Sequence, residues 1–124
     1  MKKVRIGVVG LGNLGELHVR HLQHKIADSE VVAVCDVLES RVKEIQDKYE
    51  IPSGYTDYDE MLEKEKLDAV AIVTTVQTHK ELIVKACRKR LHIFCEKPLS
   101  LIPEECYEIE KAVEANDTKI FTLV

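Results

Sequence analysis

The 124-residue sequence has no uninterrupted apolar run long enough to cross a bilayer. Its start, Met1-Lys2-Lys3, has the charge of a signal peptide, but the apolar stretch behind it is broken at Gly7, Gly10, Gly12 and Gly15. A cytoplasmic protein with no membrane partner is therefore expected. There is no surplus of positive charge: the formal net charge is −4, which argues against a nucleic-acid partner. The four cysteines, Cys35, Cys87, Cys95 and Cys106, form no C-x-x-C pair, so neither a zinc site nor a thioredoxin motif is indicated. Cys35 and Cys95 fall in strand patterns and Cys87 and Cys106 on helix faces, and all four are expected as small reduced core thiols. Internal repeats, low-complexity tracts and linkers are also missing. One domain over residues 1–124, with a core of its own, accounts for the length.

What is present is concentrated at the start. Val4-Arg5-Ile6-Gly7-Val8-Val9 is an apolar, β-branched run, followed by Gly10-Leu11-Gly12-Asn13-Leu14-Gly15 and then by a helical pattern. This is G-x-G-x-x-G in the strand–turn–helix setting that gives the motif its meaning. Gly10 permits a tight turn, Gly12 lets backbone approach a pyrophosphate, and Gly15 lets helix lie close on strand. The free N–H groups around Asn13 and Leu14 point at an anion. Val31-Val32-Ala33-Val34-Cys35-Asp36 is a second buried-strand pattern, ending in an acid twenty-one residues after Gly15. That is where a carboxylate accepting from a ribose hydroxyl is expected. Together these features predict dinucleotide binding.

The remaining pattern alternates strand and helix. A first strand is expected over about Lys3–Val9 and a helix from Asn13 to near Ile26, with Leu14, Leu17, Leu22 and Ile26 facing the sheet. His18, His21 and His24 recur on that helix without an acidic partner nearby, so no metal site is expected. A strand at Val31–Asp36, a helix at Ser40–Tyr49 with Val42, Ile45 and Tyr49 inward, and a short strand at Ser53–Tyr55 follow. Thr56 or Asp57 caps a short helix running through Leu62. Ala69–Thr74 reads as a strand covered on both faces. A helix beginning near Thr78 turns Leu82, Ile83, Ala86 and Cys87 inward. His92–Cys95 is the fifth strand, and Pro103 opens a helix to about Ala115 that buries Cys106, Ile109 and Val113. Lys119–Val124 is a sixth strand. The expected fold is α/β: a doubly wound parallel sheet of the Rossmann type, six strands in the order 3-2-1-4-5-6.

Ligands in such sheets bind beyond the carboxyl ends of the strands. Read there, the chain shows the glycine turn, Asp36, Thr74-Thr75-Val76-Gln77-Thr78-His79, and Glu96-Lys97-Pro98 seventeen residues past that histidine. This set resembles the glucose–fructose oxidoreductase, inositol dehydrogenase and rhizopine-catabolism (Gfo/Idh/MocA) family over essentially the whole chain, with Glu-Lys-Pro as the most specific part. The resemblance implies an NAD(P)-dependent oxidoreductase acting on a hydroxyl of a sugar, polyol or nucleotide-sugar. It implies that Gly10, Gly12, Asn13, Leu14 and Gly15 cradle the pyrophosphate and that Asp36 holds the adenosine ribose. It places Thr74, Thr75 and His79 near the nicotinamide-side ribose and phosphate. Glu96 would seat the nicotinamide half, and Lys97 would be the catalytic residue at the reacting carbon. Taken alone, Lys97 reads as a surface lysine before a loop proline. Chemically, an ammonium beside a substrate oxygen can stabilise negative charge and relay a proton. The resemblance further implies a cis Lys97–Pro98 bond.

Two positions depart from the family pattern: Thr75 stands where proline is usual, and Arg90 where a glycine often ends the helix. The family's substrate domain is expected to be absent, making the chain either a piece of a longer protein or a natural truncation, inactive alone. NAD is the expected cofactor, with NADP disfavoured by Asp36; Arg41, one turn into the next helix, is a cation that could offset that preference. Besides a small-molecule substrate, a second copy of the chain is an expected partner, through the apolar last strand at Ile120, Phe121, Leu123 and Val124. The competing readings are a non-enzymatic dinucleotide-binding or redox-sensing module and a methyltransferase; the spacing of Gly15 and the Glu-Lys-Pro motif disfavour the latter.

Overall fold

The computed structural model describes residues 2–123. The strands are β1 (Val4–Val9), β2 (Ser29–Cys35), β3 (Ser53–Tyr55), β4 (Ala69–Ile72), β5 (His92–Glu96) and β6 (Ile120–Leu123). They form one sheet in the order β3-β2-β1-β4-β5-β6, with every neighbouring pair parallel. This is the doubly wound order expected from the sequence. Helices α1 (Asn13–His24) and α2 (Glu39–Tyr49), the short α3 (Tyr58–Lys64), α4 (His79–Arg88, preceded by a 3₁₀ turn at Val76–Thr78) and α5 (Pro103–Ala115) make the crossovers. β4 is two residues shorter than the sequence suggests: Val73 and Thr74 have left the ladder for the turn into α4, although the Val73 N–H still reaches the Val9 carbonyl at 2.9 Å.

Both faces of the sheet are covered. Ile6, Val8, Val31 and Val34 pack with Val19, Val42 and Ile45 on the side of α1 and α2. Val9, Val70, Ile72, Ile93 and Cys95 pack with Met61, Ile83, Cys87 and Ile109 on the other. Central strands buried on two faces carry β-branched residues almost without interruption, and β1, β2 and β4 do so here.

Helix faces differ from expectation in two places. On α1 the buried residues are Gly15 and Val19, while Leu14 is 45% exposed and Ile26, beyond the helix end, 48%. The close seat of Gly15 on the β1 turn sets the rotation of this helix, which turns Leu14 outward. On α5, Ile109 is buried, but Cys106 is exposed, and the other three thiols are buried. All four cysteines are free.

The end of α4 shows how the chain accommodates Arg90. The Arg90 N–H donates to the Cys87 carbonyl at 2.9 Å and the Leu91 N–H to that of Ala86 at 3.1 Å. Arg90 itself has φ +59°, the left-handed conformation that glycine adopts most easily after a helix. An L side chain there costs roughly 1–2 kcal/mol. Arg90→Gly is accordingly expected to stabilise the protein by about 0.5–1 kcal/mol, net of the added freedom of the unfolded chain, raising the melting temperature by about 2–5 °C. A thermal melt of the variant checks this; a lower melting temperature would show that the arginine side chain compensates for its backbone.

Candidate functional site

At the carboxyl ends of β1, β2, β3 and β4 lies a cleft of about 920 Å³. Its floor begins at the β1–α1 turn. Gly10 has φ +95°, and a Cβ there would stand 2.3 Å from the Val73 carbonyl oxygen. Gly15 is closer still, with a Cβ position 1.8 Å from the Gly10 oxygen. Gly12 is the opposite case. It lines the cleft, it is the N-cap of α1, no side chain caps that helix end, and nothing lies within 4 Å of where its Cβ would be. An open, uncapped helix start beside a residue without a side chain is a cradle for an anion.

Asp36 follows β2 and is half-buried at the cleft. Its Oδ2 accepts from the Leu11 N–H at 2.8 Å and its Oδ1 from the Leu38 N–H at 2.9 Å. One carboxylate thus ties the glycine turn to the start of α2, and each oxygen keeps lone-pair capacity for a hydroxyl donor. Thr74 and Thr75 line the cleft from the β4 side. The Thr78 hydroxyl donates to the Thr75 carbonyl at 2.8 Å, so in the 2.6 Å contact between the Thr74 and Thr78 hydroxyls it is Thr74 that donates.

The sequence reading misses the far wall of the cleft, which Val37, Tyr58, Asp59, Leu82 and Lys85 help to form. The Tyr58 hydroxyl donates to the Leu82 carbonyl at 2.8 Å, and burial pushes its proton affinity up. Lys85 Nζ is held by Asp59 at 2.9 Å and by Glu81 at 3.3 Å. The β3 carboxyl end faces the same way as its neighbours, so the residues after Tyr55 could have been found by the rule that marked the others.

His79 does not line the cleft. It is 2% exposed, with Nδ1 3.0 Å from the Pro98 carbonyl oxygen and Nε2 3.2 Å from that of Thr74. It joins the exit of β4 to the turn after β5 and so positions both, rather than presenting a nitrogen to a ligand. Glu96, at the end of β5, also lies outside this cleft, half-buried, 2.8 Å from Nε2 of His18. The expectation that the α1 histidines lack an acidic partner is corrected here. His18 stands one turn past Gly15, on the face that the glycine presses onto the sheet. Among the described residues no group of acids, histidines or cysteines is arranged to hold a metal. Lys97 is exposed, and its bond to Pro98 is cis.

Behind the turn, Glu16 gathers three partners: Arg41 at 2.8 Å, and Lys48 and the Tyr49 hydroxyl each at 2.6 Å. Lys48 first, then Tyr49 and Arg41, hold the Glu16 carboxyl down to about 2. No helix of the described residues is long and apolar enough to cross a membrane.

Comparison with known proteins accords with this geometry. Residues 4–123 match the Gfo/Idh/MocA family model, described as an oxidoreductase family with an NAD-binding Rossmann fold. The chain is 35% identical over 119 residues to myo-inositol 2-dehydrogenase of Thermotoga maritima, covering 96% of this chain and 35% of that protein. Among solved structures, myo-inositol 2-dehydrogenase of Lactobacillus plantarum superposes with a TM-score of 0.94 at 32% identity, over 98% of this chain and 36% of that one. Scyllo-inositol dehydrogenase of Lactobacillus casei, solved with NAD(H) and scyllo-inositol, superposes at 0.93 with 27% identity, over 98% of this chain and 36% of that one. The chain thus spans about a third of the length of these relatives. By fold, motif and sequence, it belongs to the Gfo/Idh/MocA oxidoreductase family, as that family's NAD-binding Rossmann fold.

Proposed function

We propose that the cleft holds NAD and that the chain serves as the cofactor-binding domain of an oxidoreductase acting on a hydroxyl of a cyclic polyol. The observation that carries the reading is the pairing of an open Gly12 at an uncapped helix start with the Asp36 carboxylate, tied to the same turn through Leu11. The N–H groups of Gly12, Asn13 and Leu14 would take the pyrophosphate, with Gly10 and Gly15 shaping the turn. Asp36 would accept from the ribose hydroxyls, and Thr74 and Thr75 would border the other half. The polyol class rests on the inositol dehydrogenases among the relatives at 35% and 32% identity.

When bound, NAD supplies the hydride acceptor. The chain's own contribution at that end is Lys97, the first residue after β5, next to Glu96. In this proposal Lys97 hydrogen-bonds the substrate oxygen and relays its proton, while His18 fixes Glu96 and, through it, the direction of the turn. His79 fixes that turn from the other side through Pro98. The open β6 edge, where Phe121 stacks on Phe94 and stays 48% exposed, is offered to a second copy of the chain. Of the residues expected to drive such pairing, Val124 and the side chain of Leu123 lie outside the described residues.

The test is calorimetric titration with both dinucleotides. NAD is expected to bind, and NADP more weakly by about 1–3 kcal/mol, because the Asp36 carboxylate accepts from a 2′-hydroxyl and repels a 2′-phosphate. Equal or tighter NADP binding would refute the ribose role of Asp36. Binding of neither would refute the reading of the cleft.

A further inference from the structure

An arginine stands beside Asp36, and it is restrained. Arg41 lies in the first turn of α2. Its Nε donates to the Leu11 carbonyl at 2.5 Å, and the N–H of that same residue donates to Asp36. The guanidinium is therefore one backbone residue away from the carboxylate at the ribose end of the cleft. A planar guanidinium is the group best suited to grip a phosphate with two hydrogen bonds. Left free, Arg41 would offset the repulsion between Asp36 and a 2′-phosphate.

All three of its nitrogens are taken. Besides Nε on Leu11, Nη2 is 2.8 Å from Glu16 and Nη1 is 3.1 Å from Glu44. The two carboxylates are not equal. Glu44 is 60% exposed and three residues away on the same helix, a pair that water and salt weaken. Glu16 is 19% exposed and reaches across from α1. It is itself fixed by Lys48 and Tyr49 on the next turns of α2, so it cannot follow the arginine outward. Lys85, the cation on the far wall of the cleft, is likewise occupied by Asp59 and Glu81.

Resting on the reading of the cleft as a dinucleotide site, we infer that Glu16 is a specificity-determining residue: by holding Arg41 against α1, it withholds from NADP the cation that its 2′-phosphate needs. Asp36 disfavours that phosphate directly, whereas Glu16 acts through the arginine and is a positioning residue. Specificity here is a difference of two affinities, so the informative quantity is the ratio of the NADP and NAD dissociation constants.

Calorimetric titrations of both cofactors onto the unaltered protein, Glu16→Gln, Arg41→Leu and the double variant test this. In Glu16→Gln the ratio should fall by about fivefold or more, toward NADP. Arg41→Leu alone should leave it within about twofold, since the arginine is already withheld. In the double variant the gain should vanish. Loss of a negative charge would by itself also favour the more highly charged NADP, but that gain would persist in the Arg41→Leu background, which separates it from release of Arg41. Glu16→Asp, one methylene shorter, is the second variant should the glutamine form not fold, and should shift the ratio the same way by about threefold. An unmoved ratio in the Glu16 variants, or a gain that survives without Arg41, overturns the inference while leaving the dinucleotide site in place. An unaltered protein that binds neither cofactor overturns the site itself.

Discussion

Gly15→Ala is expected to destabilise the protein by about 3 kcal/mol or more and to lower its melting temperature by about 10 °C. The methyl group would sit 1.8 Å from the Gly10 carbonyl oxygen and 2.8 Å from its carbon. Both neighbours are backbone, so no side chain can rotate away. Either α1 lifts from the sheet, opening the packing around Val19, or the turn at Gly10 distorts, although its own φ of +95° already leaves it little choice. Gly12→Ala is the matched control. Its methyl group meets open space, so the melting temperature should move little, by the equivalent of less than about 1 kcal/mol. Its cost should fall on NAD, with affinity reduced about tenfold or more, because the new methyl occupies the approach to the α1 N–H groups. Paired melting curves and titrations read both effects. If Gly12→Ala bound NAD unchanged, the pyrophosphate would not lie over that turn. If Gly15→Ala melted like the parent, the close seat of α1 would be plastic.

The second large effect is acid sensitivity centred on Glu16. Its folded carboxyl is held at about 2 against an ordinary value of 4.5. A depressed acid contributes stability above its unfolded value and loses it as the pH falls through the folded one. The window therefore runs from about 4.5 down to about 2. Two and a half units correspond to about 3.4 kcal/mol. Because Lys48, the largest cause, is 57% exposed and screened by water, about 2–3 kcal/mol is the expected share. Urea unfolding of the parent and of Glu16→Gln should differ by that amount near pH 7, by roughly half near pH 3, and by almost nothing near pH 2. A gap that stays constant with pH would mean that the glutamine costs packing rather than charge.

Those two residues also mark the limit of what the sequence makes legible. Gly10, Gly12, Gly15 and Asp36 are visible because their job is backbone geometry and position along the chain, which spacing encodes. Strands β1, β2 and β4 are visible because burial on both faces demands β-branched runs almost without interruption. Val42, Ile45 and Tyr49, or Ile83, Ala86 and Cys87, are visible as helical stripes. Glu16 shows only as a charge in a first turn, because its three partners lie 25 to 33 residues away on another helix. His18 and Glu96 are 78 residues apart. In hindsight Gly15, His18, Val19 and Leu22 share one helical face, a stripe in which the glycine is the anchor. A reading that counts only large apolar residues picks Leu14 and Ile26 instead. The role of His79 is hidden for a related reason: both of its nitrogens face backbone carbonyl oxygens, which no side-chain pattern reveals.

The arrangement of β1 between β2 and β4 has a consequence for a chain still being made. β1 pairs with residues from Ser29 on one edge and from Ala69 on the other. After Cys35 has been added, about 40 further residues must follow before β4 is complete. At common synthesis rates that is roughly 2–8 s. Throughout that interval the apolar β1 strand can be paired on one side only, with its other edge open to any neighbouring strand. No hairpin shortens the wait, since every pair in the sheet is parallel. The strand carrying the glycine turn is thus the one that waits longest for its second partner, so the nascent protein is most exposed to mispairing at the element on which its site depends.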